Sequence, residues 1–392
     1  MSSKSSLSYK HGRAYLRPLT SLRFFAALSI FFLHASNHSL FPSEWVSHLD
    51  LSKAVSFFFV LSGFVLTYAY QNKPSSVLSF YFSRLSRIWP ITFISLLFVC
   101  FFLPTSVYLP HPNSSIPTAL VFFVHLFCLQ SVIPIPSIYF GFNAVSWSIS
   151  TELFFYSFFP FFRSLQWPKL RLVWLYLVLL SLVLSIISLF LDLQSFDLAN
   201  YDQISWQGLI YISPFCRFQE FVSGIVAARL FLSSQFTDSF SALYNLFLNS
   251  IPLPASILDS FVVFLLIYST TMSNFRFLPL ALSYSLSQIL SGIIFSLLIL
   301  YILHSSSTFA NILGSKVFIF LGNISFSFYL FHQPIMIRSS QLGGMTLAGY
   351  QLMPNNLFVV FLWTLAISMF SFAFLERPLR SYLASRTLRR FP

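Results

Sequence analysis

Charge is what this sequence has least of. Asp, Glu, Lys and Arg make up only 8% of its 392 residues, too few to cover the surface of a soluble chain of that length. Cysteine is equally sparse. Cys100, Cys128 and Cys216 all lie in apolar segments without metal-ligand spacing, which argues against a disulfide scaffold and a zinc site. The phosphate-cradling Gly-rich loop, the Gly-x-Ser-x-Gly nucleophile elbow and a His/Cys metal cluster are also missing, so no metal is expected. What is abundant is hydrocarbon: 56% hydrophobic and 20% aromatic residues, with a mean hydropathy of +0.77. Repeated apolar runs of spanning length make this a polytopic membrane protein. The first run follows a basic stretch, carries His34 and lacks a small-residue cleavage site, so it is read as a retained span rather than a signal peptide.

The runs are long and continuous, which predicts an all-α fold rather than a barrel. Spans are expected at about 18–36, 53–71, 86–103, 146–163, 171–191, 208–231, 257–273, 288–304, 316–337 and 356–375. An eleventh stretch, 117–131, is short and flanked by Pro110, Pro112, Pro117, Pro134 and Pro136. The net charge of +12 comes from basic residues lying mostly between the runs, a pattern of membrane orientation rather than of nucleic-acid binding. With ten spans and a cytoplasmic N-terminus, 18 of the 22 Lys and Arg fall inside. Lys53, Arg276 and Arg338 fall outside, and Arg217 lies in the membrane. If 117–131 also crossed, the division would be 10 inside to 11 outside. The positive-inside bias therefore predicts about ten spans, both termini cytoplasmic, and a re-entrant or interfacial segment at 117–131. Asp192, Asp197 and Asp202 fall in an outer loop, and the chain ends on a basic tail of Arg377, Arg380, Arg386, Arg389 and Arg390. No internal repeat or second domain is evident, so residues 1–392 are expected to form one membrane domain.

Ionisable groups at membrane depth cost at least ~2.5 kcal/mol each and call for a reason. Arg23 and His34 are eleven residues apart, about three helical turns or roughly 16 Å of rise, so they share one face of the first span. Arg84 and Arg87 share a face at the cytoplasmic end of the third span, either as anchors or as a two-guanidinium phosphate site. Ser148, Glu152 and Tyr156 recur every four residues, as a polar stripe on which Glu152 is either a working carboxylate or a hydrogen-bond hub. Ser325, Tyr329 and His332 form a similar stripe before Pro334. Arg217 and Glu220 can pair along one helix, for structure or for function, and Asp259 is expected to act as a cap or interfacial group.

Taken in order, these stretches resemble the acyltransferase 3 family of integral-membrane acyltransferases, whose members typically O-acetylate bacterial surface glycans. The likeness begins with Leu22-Arg23-Phe24 through His34 and Phe57-Phe58-Phe59-Val60-Leu61-Ser62-Gly63-Phe64. It continues with Arg84-x-x-Arg87-Ile-x-Pro90, Trp147-Ser148 through Glu152 with Phe155-Tyr156 and Pro160, and Arg217-Phe-Gln-Glu220-Phe-x-x-Gly224. It ends with Leu321-Gly322-Asn323-Ile324-Ser325 through Tyr329-Leu330-x-His332-x-Pro334 and Glu376-Arg377-Pro378. Ser21 and Leu22 stand where the family usually has glycine, and Ser83 where it usually has an arginine. The hydrolase-like extracytoplasmic domain that some members carry is absent from this sequence.

The resemblance implies acyl transfer, with acetyl-CoA or another acyl-CoA as cytoplasmic co-substrate and no bound cofactor. Arg84 and Arg87, helped by Arg23, would receive the donor's phosphates. His34 would act as general base on an acceptor hydroxyl of an extracytoplasmic or lipid-linked glycan. Glu152 would orient and charge-stabilise His34. Ser148, Tyr156, Arg217, Glu220, Ser325, Tyr329 and His332 would support the site. The implied location is the inner membrane. A lipid or peptide acceptor fits the same residues, and a glycan or lipid translocator would instead require repeats and broken helices.

Overall fold

The computed structural model describes residues 16–71, 76–104, 114–196, 201–250, 254–271, 275, 277–305, 308–341, 346–347, 350–351, 356–379 and 381–382. Pro110, Pro112, Asp197, Arg276, Arg380, Arg386, Arg389 and Arg390 lie outside the described residues, as do positions 272–273 of the expected seventh span.

Apolar runs satisfy their backbone groups internally by coiling, and helices dominate the chain. They are α1 (Arg17–Asn37), α2 (Lys53–Tyr70), α3 (Val77–Phe102), α4 (Thr118–Leu126), α5 (Trp147–Ser164), α6 (Trp167–Phe190), α7 (Pro214–Leu232), α8 (Ser234–Ser250), α9 (Ala255–Thr271), α10 (Leu280–His304), α11 (Lys316–Gln341) and α12 (Leu357–Ser371). A two-residue ladder pairs Thr346 with Gln351 and Leu347 with Tyr350. Among the described residues, six helices are long and apolar enough to cross a membrane: α1, α2, α3, α6, α10, and α12 with its continuation to Leu379. The four other expected spans are helical too. However, α9 covers 17 described residues, and α5, α7 and α11 carry Glu152, Arg217 with Glu220, and His332 within their apolar runs. Among the described residues, six helices thus reach spanning length and composition, and the expected count of ten is not reached on that criterion.

Several boundaries moved for physical reasons. α3 begins at Val77, not 86, because the Ser76 hydroxyl caps the Ser79 N–H (3.1 Å) and the helix runs on through Arg84 and Arg87. α10 begins at Leu280, not 288, since Ser283, Ser285, Ser287 and Gln288 are buried against protein rather than ending the helix. The expected 208–231 span is two pieces, a π-helical turn at Gln207–Ile212 followed by α7. Pro214 brings no N–H to the junction, and Ser213 caps the new helix through the Phe215 N–H. In the 117–131 segment, α4 has nine residues, about 13 Å of rise, less than half a ~30 Å hydrocarbon core. It cannot cross.

The residues leading into this segment are tied to Asp202. Ser114 donates to one Asp202 oxygen (2.8 Å), and the Ser115 N–H donates to the other (2.7 Å). Burial works against the Asp202 charge, but hydrogen bonds from Ser137, Ser114 and Ser115 prevail and hold its carboxyl below the ordinary range.

Two helix crossings are set by glycine. A Cβ on Gly224 would stand 1.9 Å from the Val60 carbonyl oxygen, and one on Gly63 would stand 2.0 Å from that of Phe221. Backbones of α2 and α7 touch there, as small residues allow between membrane helices. Gly322 does the same for α11 and α1, where a Cβ would meet the Thr20 oxygen at 1.9 Å. α1 also packs on α2, and α5 lies against α2, α3 and α7. These contacts bring α1, α2, α3, α5 and α11 around one space.

Candidate active site

A cavity of about 100 Å³ opens among those five helices. Three guanidinium-bearing residues line it: Arg23 from α1, and Arg84 and Arg87 from α3. α5 contributes Ser148, Glu152 and Tyr156, and α11 contributes Ser325 and Tyr329. The two polar stripes and both arginine positions read from the sequence therefore meet at one place.

The arginines differ in how they are held. Arg84 donates through Nη2 to the Tyr70 hydroxyl (3.2 Å) and through Nε to Ser83 Oγ (3.3 Å), with its guanidinium 5.5 Å from the Tyr70 ring centre. Arg87 donates no hydrogen bond among the described residues, so its fork is available. Arg23 lies in electrostatic range of Arg87, Glu152 and Glu376. Three cations facing one small cavity repel each other, and an anion placed among them relieves that repulsion.

Glu152 is the cavity's own anion. It accepts from Ser62 Oγ (2.8 Å) and from the Tyr156 hydroxyl, and the Ser62 and Tyr156 oxygens stand 3.1 Å apart. No hydrogen bond joins Glu152 to His34, its expected partner, among the described residues. An α5 carboxylate one turn from Tyr156 finds that phenol and the α2 hydroxyl first, and these satisfy it.

The neighbour of His34 is His332. Their ring centres are 5.1 Å apart, with the planes inclined at 41°. His332 Nδ1 lies 2.6 Å from the Tyr329 carbonyl oxygen, and its ring sits beside those of Phe31, Phe328 and Tyr329. His34 does not line the cavity. The histidine pair adjoins it through Tyr329, whose hydroxyl bonds Ser148 Oγ (2.8 Å) and lies 3.2 Å from the Val145 oxygen. The parallel crossing of α1 and α11 at Gly322 sets this arrangement, since it lets Phe24 and Phe31 of α1 pack on Phe328.

Arg217 and Glu220 lie outside the cavity lining. Their buried pair (2.9 Å) serves the broken helix beside it. Three consecutive carbonyls left over at the π turn accept from side chains: Ile210 from Gln288 (3.3 Å), Tyr211 from Arg217 Nε (2.8 Å) and Ile212 from Thr151 (3.2 Å). Arg217 also donates to Ser56 (3.1 Å) and stacks over Tyr211, 4.5 Å from the ring centre. These contacts give the pair a structural task at the broken helix.

Two residues were missed. Ser62 was quoted only within its apolar stretch, yet its hydroxyl fastens Glu152. Glu376, quoted only in the stretch Glu376-Arg377-Pro378, is buried at a second π turn, 3.2 Å from Ser327 Oγ. The signal for both was a polar atom at helical spacing inside an apolar run. Asp259 was expected to be a cap or interfacial group but is fully buried, accepting from Tyr244 (3.2 Å), Tyr301 (2.6 Å) and Ser305. No cluster of three His, Cys, Asp or Glu able to hold a metal occurs among the described residues.

A family model described as an acyltransferase domain matches residues 19–374. Over 167 residues the chain is 36% identical to Acyltransferase MdmB of Streptomyces mycarofaciens, covering 41% of this chain and 42% of that protein. The chain thus matches less than half the length of that curated relative. No solved structure matches it.

Proposed function

The chain belongs to the acyltransferase 3 family, and on that premise we propose that it transfers an acyl group, in the first instance acetyl, from cytoplasmic acyl-CoA to a hydroxyl of an extracytoplasmic or lipid-linked glycan. One observation carries the reading. Arg23, Arg84 and Arg87 line a cavity that is also lined by Tyr329, which adjoins the His34–His332 pair. Guanidinium forks match phosphate oxygens, and a neutral imidazole is suited to remove a hydroxyl proton near neutral pH.

In this reading the phosphates of CoA bind the arginines at the inner side and the thioester points toward the histidines. His34 takes the proton of the acceptor hydroxyl as its oxygen attacks the thioester carbon. The C–O bond forms, the C–S bond breaks, and the proton passes to the departing thiolate. Glu152 works at the donor end, holding Ser62 and Tyr156 and offsetting part of the arginine charge before the donor arrives. The proposal places the protein in the inner membrane with ten spans and cytoplasmic termini, as the distribution of Lys and Arg favours.

The test is deletion of the gene in the source organism, with acyl esters on the surface glycans compared by mass spectrometry. The expected result is loss of one alkali-labile acyl group, restored by the wild-type gene and not by Arg84→Ala/Arg87→Ala. An unchanged ester pattern on the glycans, with a change in lipid or peptide esters instead, would move the acceptor to that class.

A further inference from the structure

The histidine pair carries information beyond the assignment of His34 as base, on which the following rests. Tyr329 O is a carbonyl oxygen and can only accept. His332 Nδ1, 2.6 Å away, therefore carries the hydrogen, and the neutral ring has its lone pair on Nε2. Among the described residues, that Nε2 is buried without a hydrogen-bond partner, and so is Nδ1 of His34. The rings that bear these two atoms are 5.1 Å apart, within reach of each other by side-chain rotation. Phe31 and Phe328 border the His332 ring, and the carboxylate of Glu152 is engaged by Ser62 and Tyr156.

We propose that His332 is the positioning residue for His34, accepting a hydrogen bond at Nε2 from the Nδ1–H of His34 in the working enzyme. A backbone carbonyl thereby sets the tautomer of the base through an intervening ring. Tyr329 O holds the proton on His332 Nδ1, His332 Nε2 holds the proton on His34 Nδ1, and His34 Nε2 is left with the lone pair that meets the acceptor hydroxyl. This is the orienting role a carboxylate takes in a triad, filled here by a neutral group. A neutral partner suits the location, because a carboxylate beside the base would need its own desolvation in an apolar setting. His34 becomes imidazolium when it takes the hydroxyl proton and strengthens its bond to His332. It becomes neutral again on giving that proton to the CoA thiolate. His332 keeps one proton throughout.

Two amide replacements separate positioning from packing. Glutamine places an oxygen where Nε2 stood and can accept from His34. Asparagine reaches only the Nδ1 position and leaves His34 without an acceptor. Membranes from the deletion strain carrying each variant at matched abundance would be given [14C]acetyl-CoA, and alkali-labile label would be counted over a range of donor concentrations. His332→Asn and His332→Ala should lose tenfold or more in maximal rate, His332→Gln should keep most of it, and the KM for acetyl-CoA should be the same in all three. Wild-type rates in the Asn and Ala variants, or a Gln variant as impaired as Asn, would overturn the proposal. His34→Ala in the same membranes separates the two levels. If it remains active, the base assignment itself fails. If it is inactive while His332→Asn is normal, only the positioning role fails. A wild-type protein that incorporates no label refutes the acetyl-CoA reading.

Discussion

Replacing Arg87 with alanine tests the donor site with little structural disturbance. Arg84 is held by Tyr70 and Ser83, so its loss also removes two internal hydrogen bonds. Arg87 faces the same cavity without donating a hydrogen bond to a described residue, so its removal costs the resting protein little. Each charge-assisted contact to a phosphate is worth about 1.5–3 kcal/mol. At roughly 1.4 kcal/mol per decade, the affinity for acyl-CoA should fall about ten- to a hundredfold. Arg87→Lys should restore only part of this, because an ammonium keeps the charge but not the fork. Glu376 and Glu152 would still face Arg23, so thermal unfolding of the variant should match wild type. The assay is calorimetric titration of acetyl-CoA into protein in lipid nanodiscs, with thermal stability measured on the same preparation. Equal affinity in stable wild-type and Arg87→Ala protein would reduce this arginine to a membrane anchor and remove the donor from the cavity.

Further outcomes follow from other parts of the fold. Gly224→Val should prevent accumulation of folded protein, since a Cβ 1.9 Å from the Val60 oxygen forces α2 and α7 apart; the readout is membrane abundance and melting temperature. Glu220→Ala leaves the buried Arg217 guanidinium without its carboxylate and should destabilise the protein by about 3–5 kcal/mol. Its donor affinity in the surviving folded fraction should be unchanged, and a selective loss of acyl-CoA binding would return the pair to the active site. Gln166→Cys, between α5 and α6, should resist an impermeant thiol reagent in intact cells, whereas Ser195→Cys should react. Labelling of position 166 from outside would invert the assigned topology.

The parts of this protein that were legible in the sequence are those written along one helix. Arg84 with Arg87, Ser148 with Glu152 and Tyr156, and Ser325 with Tyr329 stand at spacings of three and four, so each shared face could be read before any neighbour was known. Contacts between helices could not. Whether His34 meets Glu152 or His332 depends on how α1 and α11 cross at Gly322, and that crossing leaves no periodic trace. Boundaries failed where polar residues point into protein rather than water. Arg84 seemed to precede a span that in fact begins at Val77, and Ser283 through Gln288 hid the first turns of α10. The break before α7 was announced by Pro214, but apolar residues on both sides concealed it.

The most direct test of His34 as the base is the rate of acyl transfer by His34→Ala at matched membrane abundance. Its imidazole lies outside the arginine-lined cavity, so acyl-CoA binding should remain at the wild-type level. Turnover should fall by about 10²–10⁴, the usual loss for a positioned general base, and the acidic limb of the pH profile should disappear with it. Near wild-type turnover with that limb intact would contradict the assignment and leave His34 as a side chain packed against His332.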